Sequence, residues 1–395
     1  MDLKIFAKTV DEKALQQINT LASIDAFKDS KIRIMPDVHA GAGCVIGFTA
    51  DLGDKVIPNI VGIDIGCGMR TTRIMDKHID FDRLDNVIRK YVPSGMNVHS
   101  IKTADLRNDY KLFCMEHLKN IDWLEASLGT LGGGNHFIEV DVDDLGNAYL
   151  VIHTGSRNLG KQVCEYYQNY AISKLVGKDH LNEEIKKLIS EYKEQGREAE
   201  IEKAIATLKK KEIVSDVPKD LCYLEGMDRM DYLYDMRVCQ KFAIRNREMI
   251  EEIIFDHMGW ERGESFETIH NYIDHESNIV RKGAISAKKG ERVLIPMNMR
   301  DGCIIGIGKG NEDWNCSAPH GAGRIMSRAQ ARNNIGLSDF AEAMNGIYTT
   351  SVCKETIDEA PQVYKPMQEI VDCIADTVSI EKIIHPIYNF KAAEK

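Results

Sequence analysis

VGIDIGCGMR, residues 61–70, places a carboxylate and a thiol three positions apart, Asp64 and Cys67, among Gly62, Gly66 and Gly68. It sits inside KVIPNIVGIDIGCGMRTTRI (55–74), which follows KIRIMPDVHAGAGCVIGF (31–48). Both stretches alternate short apolar runs with glycine-rich turns, the pattern of strands that end in functional loops. Two readings of 61–70 are open: a tight turn that happens to bury a cysteine, or a metal site.

Outward from this stretch the pattern changes period. FDRLDNVIRKYV, from Phe81, has helical spacing. NAYLVIHTGSRNLG (147–160) reads as a strand, a loop, and then a helix that starts near Gly160 and runs through KQVCEYYQNYAISKLV (161–176). LNEEIKKLISEYKEQGREAEIEKAIATLKKKE (181–212) reads as a solvated helix or hairpin with i,i+4 ion pairs. A second long helix is expected from Met227 to about His257. Short strands return at VLIP (293–296) and CIIGIG (303–308). GAGRIMSRAQARNN reads as a helix opening just after His320, MQEIVDCIADTV as a helix, and IIHPIYNF as a last strand or extended tail. No linker or repeat divides the chain. The expectation is an α+β protein: one large domain over 1–395, with mixed β-sheets around a central metal cleft and a helical insertion at roughly 161–258.

The totals agree. A chain of 395 residues, 43% hydrophobic and 28% charged, can bury a large core. No apolar run is long enough to cross a bilayer, and MDLKIFAKTV lacks the layout of a signal peptide, so a cytoplasmic location is expected. Ten cysteines without a CxxC pair are expected to be reduced and mostly buried. The net charge of −10 argues against a general nucleic-acid coat but allows a local basic groove.

Of twelve histidines, His78, His99, His117, His180 and His257 lie in polar or helical stretches and need no function. Four others share loops rich in glycine or small residues. GTLGGGNHFIEV sets Asn135 and His136 after three glycines. VIHTGSRNLG and ETIHNYIDHE set His153 and His270 at strand ends, and SAPHGAGRIMSR sets His320 before a glycine-rich helix start. Sites are usually built at strand tips where glycine permits close approach. With Asp64 and Cys67 these supply one thiolate, one carboxylate and several imidazoles. A thiolate can bridge two divalent cations about 3.5–4 Å apart. Softness suits zinc, whereas the carboxylate and open positions for phosphate oxygens suit manganese. Asp37 reads equally as an Asx-turn or as a site residue. Arg324, four residues after His320 at the expected helix start, suggests an anion site with a histidine poised for phosphorus chemistry.

Taken together, MPDVHAGAG, VGIDIGCGMR, GTLGGGNHFIEV, VIHTGSRNLG, HNYIDHE, RKGAISA, APHGAGRIMSR and APQVYK, spread from residue 35 to 365, make the chain resemble the RtcB family of RNA ligases. That resemblance implies joining of RNA 3′-phosphate or 2′,3′-cyclic phosphate ends to 5′-hydroxyl ends, with GTP and two Mn²⁺ ions as cofactors. It implies that Cys67 bridges the ions, Asp64 and His136 serving one and His153 and His270 the other. His320 would take GMP from GTP, with Asp37 fixing its tautomer. Asn135, Phe137, Glu139, Ala322, Gly323, Tyr364 and Lys391 would contact the nucleotide, Glu139 at the guanine edge and Tyr364 stacked on it. Arg157 and Arg328 would hold RNA phosphates. An activating protein is compatible with this reading, no membrane is involved, and a monomer is expected.

Where many members carry a Gly-Ser-Met-Gly loop, this chain has IPMNMRDG (295–302), which suggests a subfamily variant in which Arg300 or Asp301 makes new contacts. Two rival readings remain. A metal-dependent phosphoesterase would open cyclic ends without using GTP, and an RNA-end-binding module would bind without covalent labelling. Arg281, Lys282, Lys288, Lys289 and Arg292 read either as an RNA path or as a solvated loop.

Overall fold

The computed structural model describes residues 2–176, 178–210 and 217–392. Its frame is one curled, largely antiparallel sheet. The strand order is Arg292–Asn298, Gly302–Gly308, Val378–Lys391, Phe137–Val142, Ala148–Thr154, Gly68–Ile74 and Arg262–Ile269, with Tyr348–Thr349 pairing in parallel beside Val378–Lys391. The ladder slips register between Pro296 and Asn298, Ile305 and Gly306, Pro386 and Tyr388, and Thr72 and Ile74. Such bulges bend a strand and strengthen its twist, so the sheet curls and its inner face becomes concave.

A second sheet runs Asp2–Ile5, Lys31–His39, Ile46–Asp51, Ile279–Lys282, Asn271–Asp274. Lys31–His39 is buried along all but its ends, its charged Arg33 and Asp37 included. A two-stranded ribbon, Ala284–Ser286 with Ser317–Pro319, delivers the chain to His320. The helix Gly226–Met258 packs one stripe, Tyr232, Met236, Cys239 and Phe242, into the main core and stops at Gly259, in the left-handed region.

The α+β expectation holds, as one large domain. So do the helix near Phe81 (Phe81–Tyr91), the long helix and the strands around 293–308. The stretch 181–212 is a helical hairpin, Lys178–Glu194 and Ile201–Lys210, whose ion pair joins Arg197 to Glu200 across one turn. Residues 211 and 212 and the side chain of His180 lie outside the described residues.

Four expectations are corrected. Pro58–Val61 is a short helix with proline at its first turn, where the missing N–H costs nothing. The helix after Ser156 opens at Arg157, not near Gly160. Met367–Ile374 is helical, but Val378 already belongs to the last strand. No helix opens after His320: Gly323, at φ +77, turns the chain, and the helix begins at Arg328 behind a Ser327–Gln330 capping box.

All ten cysteines are free, seven of them buried. Among the described residues no helix is long and apolar enough to cross a membrane.

Candidate active site

The tips of the curled sheet carry the expected metal donors. Gly68–Ile74 pairs with both Ala148–Thr154 and Arg262–Ile269, so Cys67, His153 and His270 stand at adjacent strand ends. Phe137 pairs with His153, which brings His136 alongside. Cys67 Sγ lies 3.3 Å from His153 Nε2 and 3.5 Å from His136 Nε2, and His153 Nε2 is 3.5 Å from His270 Nε2. His136 Nε2 is 2.9 Å from Asp64 Oδ2.

Two three-donor sets result, Cys67–His153–His270 and Asp64–Cys67–His136, each within 4.8 Å and sharing the sulfur. His136 Nδ1 faces the Leu131 carbonyl at 2.9 Å and His153 Nδ1 the Asn135 carbonyl at 3.2 Å. His153 Nδ1–H donates there, which leaves its Nε2 lone pair aimed at the thiol, whereas His136 Nε2 is engaged by the Asp64 carboxylate. Burial holds His153 and His270 well below the usual imidazole range, so both stay neutral. Burial and then the charge of Asp64 push the Cys67 thiol up. Burial acts most strongly to raise Asp64, but the hydrogen bond and charge of His136, with Arg157 and Cys67, together hold the carboxyl below its usual value.

Asp64 Oδ1 is buried without a partner, and a Cβ on Gly155 would collide with that carboxylate. A divalent pair fits this donor set: it would displace the thiol proton and satisfy the orphaned oxygen.

Beside the donors opens a cleft of about 1000 Å³ lined by His320, Asn135, Phe137, Glu139, Tyr364, Lys391, Ala322 and Gly323, among others. Asp37 is fully buried within its strand and is not part of an Asx-turn. Its Oδ2 accepts from His320 Nδ1 at 2.6 Å and from the backbone N–H groups of His320 and Gly321 at 3.1 and 3.2 Å. Gly323 passes so close to the Asp37 backbone that any Cβ there would clash. The ring of His320 is 4.9 Å from that of His270. The donor cluster and the His320 ring therefore share one wall.

Several expected residues sit elsewhere or differently. Arg324 lines the cleft, but no helix starts there, and its guanidinium bonds Asp358 O, Met326 O and Glu359 Oε1. Arg157 does not line the cleft among the described residues; it reaches Thr130 Oγ1 and Gly95 O. Arg328 stands at the cleft, 44% exposed, paired with Asp358 and Glu359. Met297, Asn298 and Met299 line the cleft, whereas Arg300 and Asp301 bond each other and turn away from it. The basic cluster divides: Arg281 and Lys282 are buried, whereas Lys289 is exposed on a turn, as the solvated-loop reading expects. Arg281 is fully buried on Ser317, Tyr272 and Asp274, and Lys282 donates to the carbonyls of Ala42 and Asn59. Lys288 and Arg292 are tied to acids.

Sequence reasoning missed Glu359. It gathers Lys391 Nζ at 2.9 Å, Arg328 at 2.9 Å, Arg324 at 3.2 Å and the Tyr364 hydroxyl at 2.6 Å. Burial opposes its ionisation, but Lys391, Arg328 and Arg324 outweigh it and hold its pKa down to about 2. His39, also missed, lines the cleft as a neutral imidazole, pushed by burial to about 4.

Asn246 and Arg247 were missed too. Asn246 takes the N–H groups of Gly129 and Thr130 and donates to the Thr130 and Gly155 carbonyls. Arg247, fully buried, donates to the carbonyls of Gly66 and Thr154, one residue from Cys67 and one from His153. The long helix thus clamps the loops that carry the metal donors. Arg247→Met should cost about 3–5 kcal/mol in chemical denaturation and weaken binding of a divalent cation at the expected donors about 10- to 100-fold in calorimetry of the native fraction. Unchanged metal affinity would reduce Arg247 to a stability role.

A family model described as tRNA-splicing ligase RtcB matches residues 17–120 and 116–392. RNA-splicing ligase RtcB of Escherichia coli K12 is 29% identical over 413 residues, covering 94% of this chain and 92% of its own. The tRNA-splicing ligases RtcB of Nanoarchaeum equitans and Aeropyrum pernix are each 26% identical, covering 96% of this chain and 91% of theirs. With that model spanning nearly its whole length, the chain belongs to the RtcB family.

Proposed function

We propose that the chain is a GTP- and Mn²⁺-dependent RNA ligase that joins 3′-phosphate or 2′,3′-cyclic phosphate ends to 5′-hydroxyl ends. The observation that carries this reading is the buried Asp37 carboxylate on His320 Nδ1, beside a cleft that also reaches the Cys67-centred donors. With Nδ1–H donated to Asp37, the attacking lone pair of the imidazole is the one on Nε2.

His320 Nε2 attacks the α-phosphorus of GTP; the P–N bond forms and pyrophosphate leaves. An oxygen of the RNA 3′-phosphate then attacks the same phosphorus, the P–N bond breaks, and GMP becomes attached to the RNA end. The 5′-hydroxyl attacks the activated 3′-phosphorus and GMP leaves. A cyclic end is first hydrolysed to the 3′-phosphate. Asp64, Cys67, His136, His153 and His270 hold the two ions, which supply charge stabilisation for developing oxyanions.

Asn135, Phe137, Ala322, Gly323, Tyr364 and Lys391 hold the nucleotide, and Glu139 reads the guanine edge. Arg328 at the mouth takes an RNA phosphate, whereas Arg157 steadies the Thr130 loop more directly than it meets RNA. Residues 1–395 act as one ligase domain, the region near 161–258 being a helical insertion, in a cytoplasmic monomer. A hydrolase needs no guanylyl carrier and would leave the nucleotide half of the cleft without a use.

The test is incubation with α-labelled GTP and Mn²⁺, alongside RNA with 2′,3′-cyclic phosphate and 5′-hydroxyl ends. An acid-labile, base-stable label on the protein and joined RNA are expected. Metal-loaded protein that opens cyclic ends without taking label would be a phosphoesterase instead. Within the same assay, Glu139→Gln should raise the GTP concentration for half-labelling about 10- to 100-fold. An amide lacks the charge that strengthens the bond to a guanine edge N–H, and a charge-assisted bond contributes about 1.5–3 kcal/mol.

A further inference from the structure

Beneath the cleft floor lies a second set of metal donors that shares no residue with the first: Glu139, Asp141 and Cys303, within 4.8 Å of one another. Glu139 and Asp141 alternate along one strand and so face the same side of the sheet. Cys303 joins them from the strand Gly302–Gly308, across the bulged Val378–Lys391 strand that lies between. The sheet's curl makes these positions converge.

The surroundings are apolar: Phe137, Val151, Leu294, Ile305 and Ile384 pack in the same cluster as Cys303. Asp141 is fully buried, and neither of its oxygens meets an N–H or O–H donor; the Cys303 thiol is the one donor beside it among the described residues. Asn389, from the intervening strand, gives its Nδ2–H to Glu139 at 2.9 Å, yet its own buried Oδ1 has no partner either. An isolated ionised carboxylate in such a place is prohibitive, and a neutral one still loses the hydrogen bonds it made in water. Three unpartnered oxygens from two strands, next to a thiol, are what a bound cation would satisfy.

We propose that Glu139, Asp141 and Cys303 form a separate site for a divalent cation of the Zn²⁺ class, with Asn389 Oδ1 within reach as a further donor. A thiolate with carboxylates favours a borderline-soft ion over Mg²⁺ or Ca²⁺. Burial pushes Glu139 up to about 7 and Asp141 well above the carboxylate range, so loading the site releases protons. The cation would keep Glu139 ionised and its second oxygen turned to the cleft, a consequence that rests on the base-edge role proposed above.

The experiment needs neither GTP nor RNA. Full-length protein is stripped with chelator and reloaded with Co²⁺, whose thiolate charge-transfer absorption reports sulfur ligation. Cys67→Ser is expected to keep such a band, which is lost in Cys67→Ser/Cys303→Ser. In the Cys67→Ser background, Asp141→Asn keeps the side-chain shape and should weaken Co²⁺ binding at least about tenfold. Three results would each overturn the site: no band in Cys67→Ser, a band surviving the double cysteine variant, or unchanged affinity in Asp141→Asn. Covalent labelling by GTP is scored separately, so failure here leaves the ligase reading intact and failure there leaves this one intact.

Discussion

His320→Ala should abolish covalent labelling from GTP and lower the joining rate by at least about 10⁴-fold. The size follows from what the ring does: without it there is no P–N bond to form and no route by which GMP reaches the RNA end. Asp37→Asn separates the nucleophile from its tautomer. The Asp37 carboxylate accepts from Nδ1–H at 2.6 Å and from two backbone N–H groups, so it fixes both the ring's proton and its place. An amide at position 37 can turn an N–H toward the ring and favour the tautomer whose lone pair is on Nδ1. Labelling should then slow by about 10³- to 10⁴-fold while RNA binding, measured separately, changes little. Label persisting on His320→Ala at the wild-type rate would move the nucleophile elsewhere.

How legible this site was depends on where its residues stand. Cys67, His136, His153, His270 and His320 were readable because each is a chemically distinctive side chain next to glycine or small residues at a strand tip, and the fold brings such tips together. Asn246, Arg247 and Glu359 were not. A polar pair inside a charged helix looks solvated, and nothing local says that Arg247 spends its guanidinium on the backbone beside Cys67 and His153. Arg281 and Lys282 misled for the same reason, since burial of a basic residue depends on carbonyls and acids far away in sequence. The segment after His320 looked helical by composition. What stops the helix is Gly323, whose backbone is pressed against Asp37 some 286 positions earlier in sequence, and no local propensity encodes that contact.

The same dependence on distant partners makes the sulfur proposed as a bridge a sharp test. Cys67→Ser keeps the size class and hydrogen-bonding capacity of the side chain, so the metal-free protein should unfold within about 1 kcal/mol of wild type. The difference should appear only when metal is added. A serine hydroxyl stays protonated at neutral pH and cannot join two ions, whereas displacement of the Cys67 proton lets one sulfur serve both donor sets. Wild-type protein at a free Mn²⁺ concentration 100 times its dissociation constant should gain about 2.7 kcal/mol in unfolding free energy, and Cys67→Ser should gain much less. Labelling and joining should fall at least about 10³-fold in the variant. His153→Ala, which removes a donor from one set only, should retain part of the metal-dependent gain. If Cys67→Ser were stabilised by Mn²⁺ as much as wild type and still carried GMP at the normal rate, the sulfur would be packing and not a bridge. The two overlapping donor sets would then have to be filled without it.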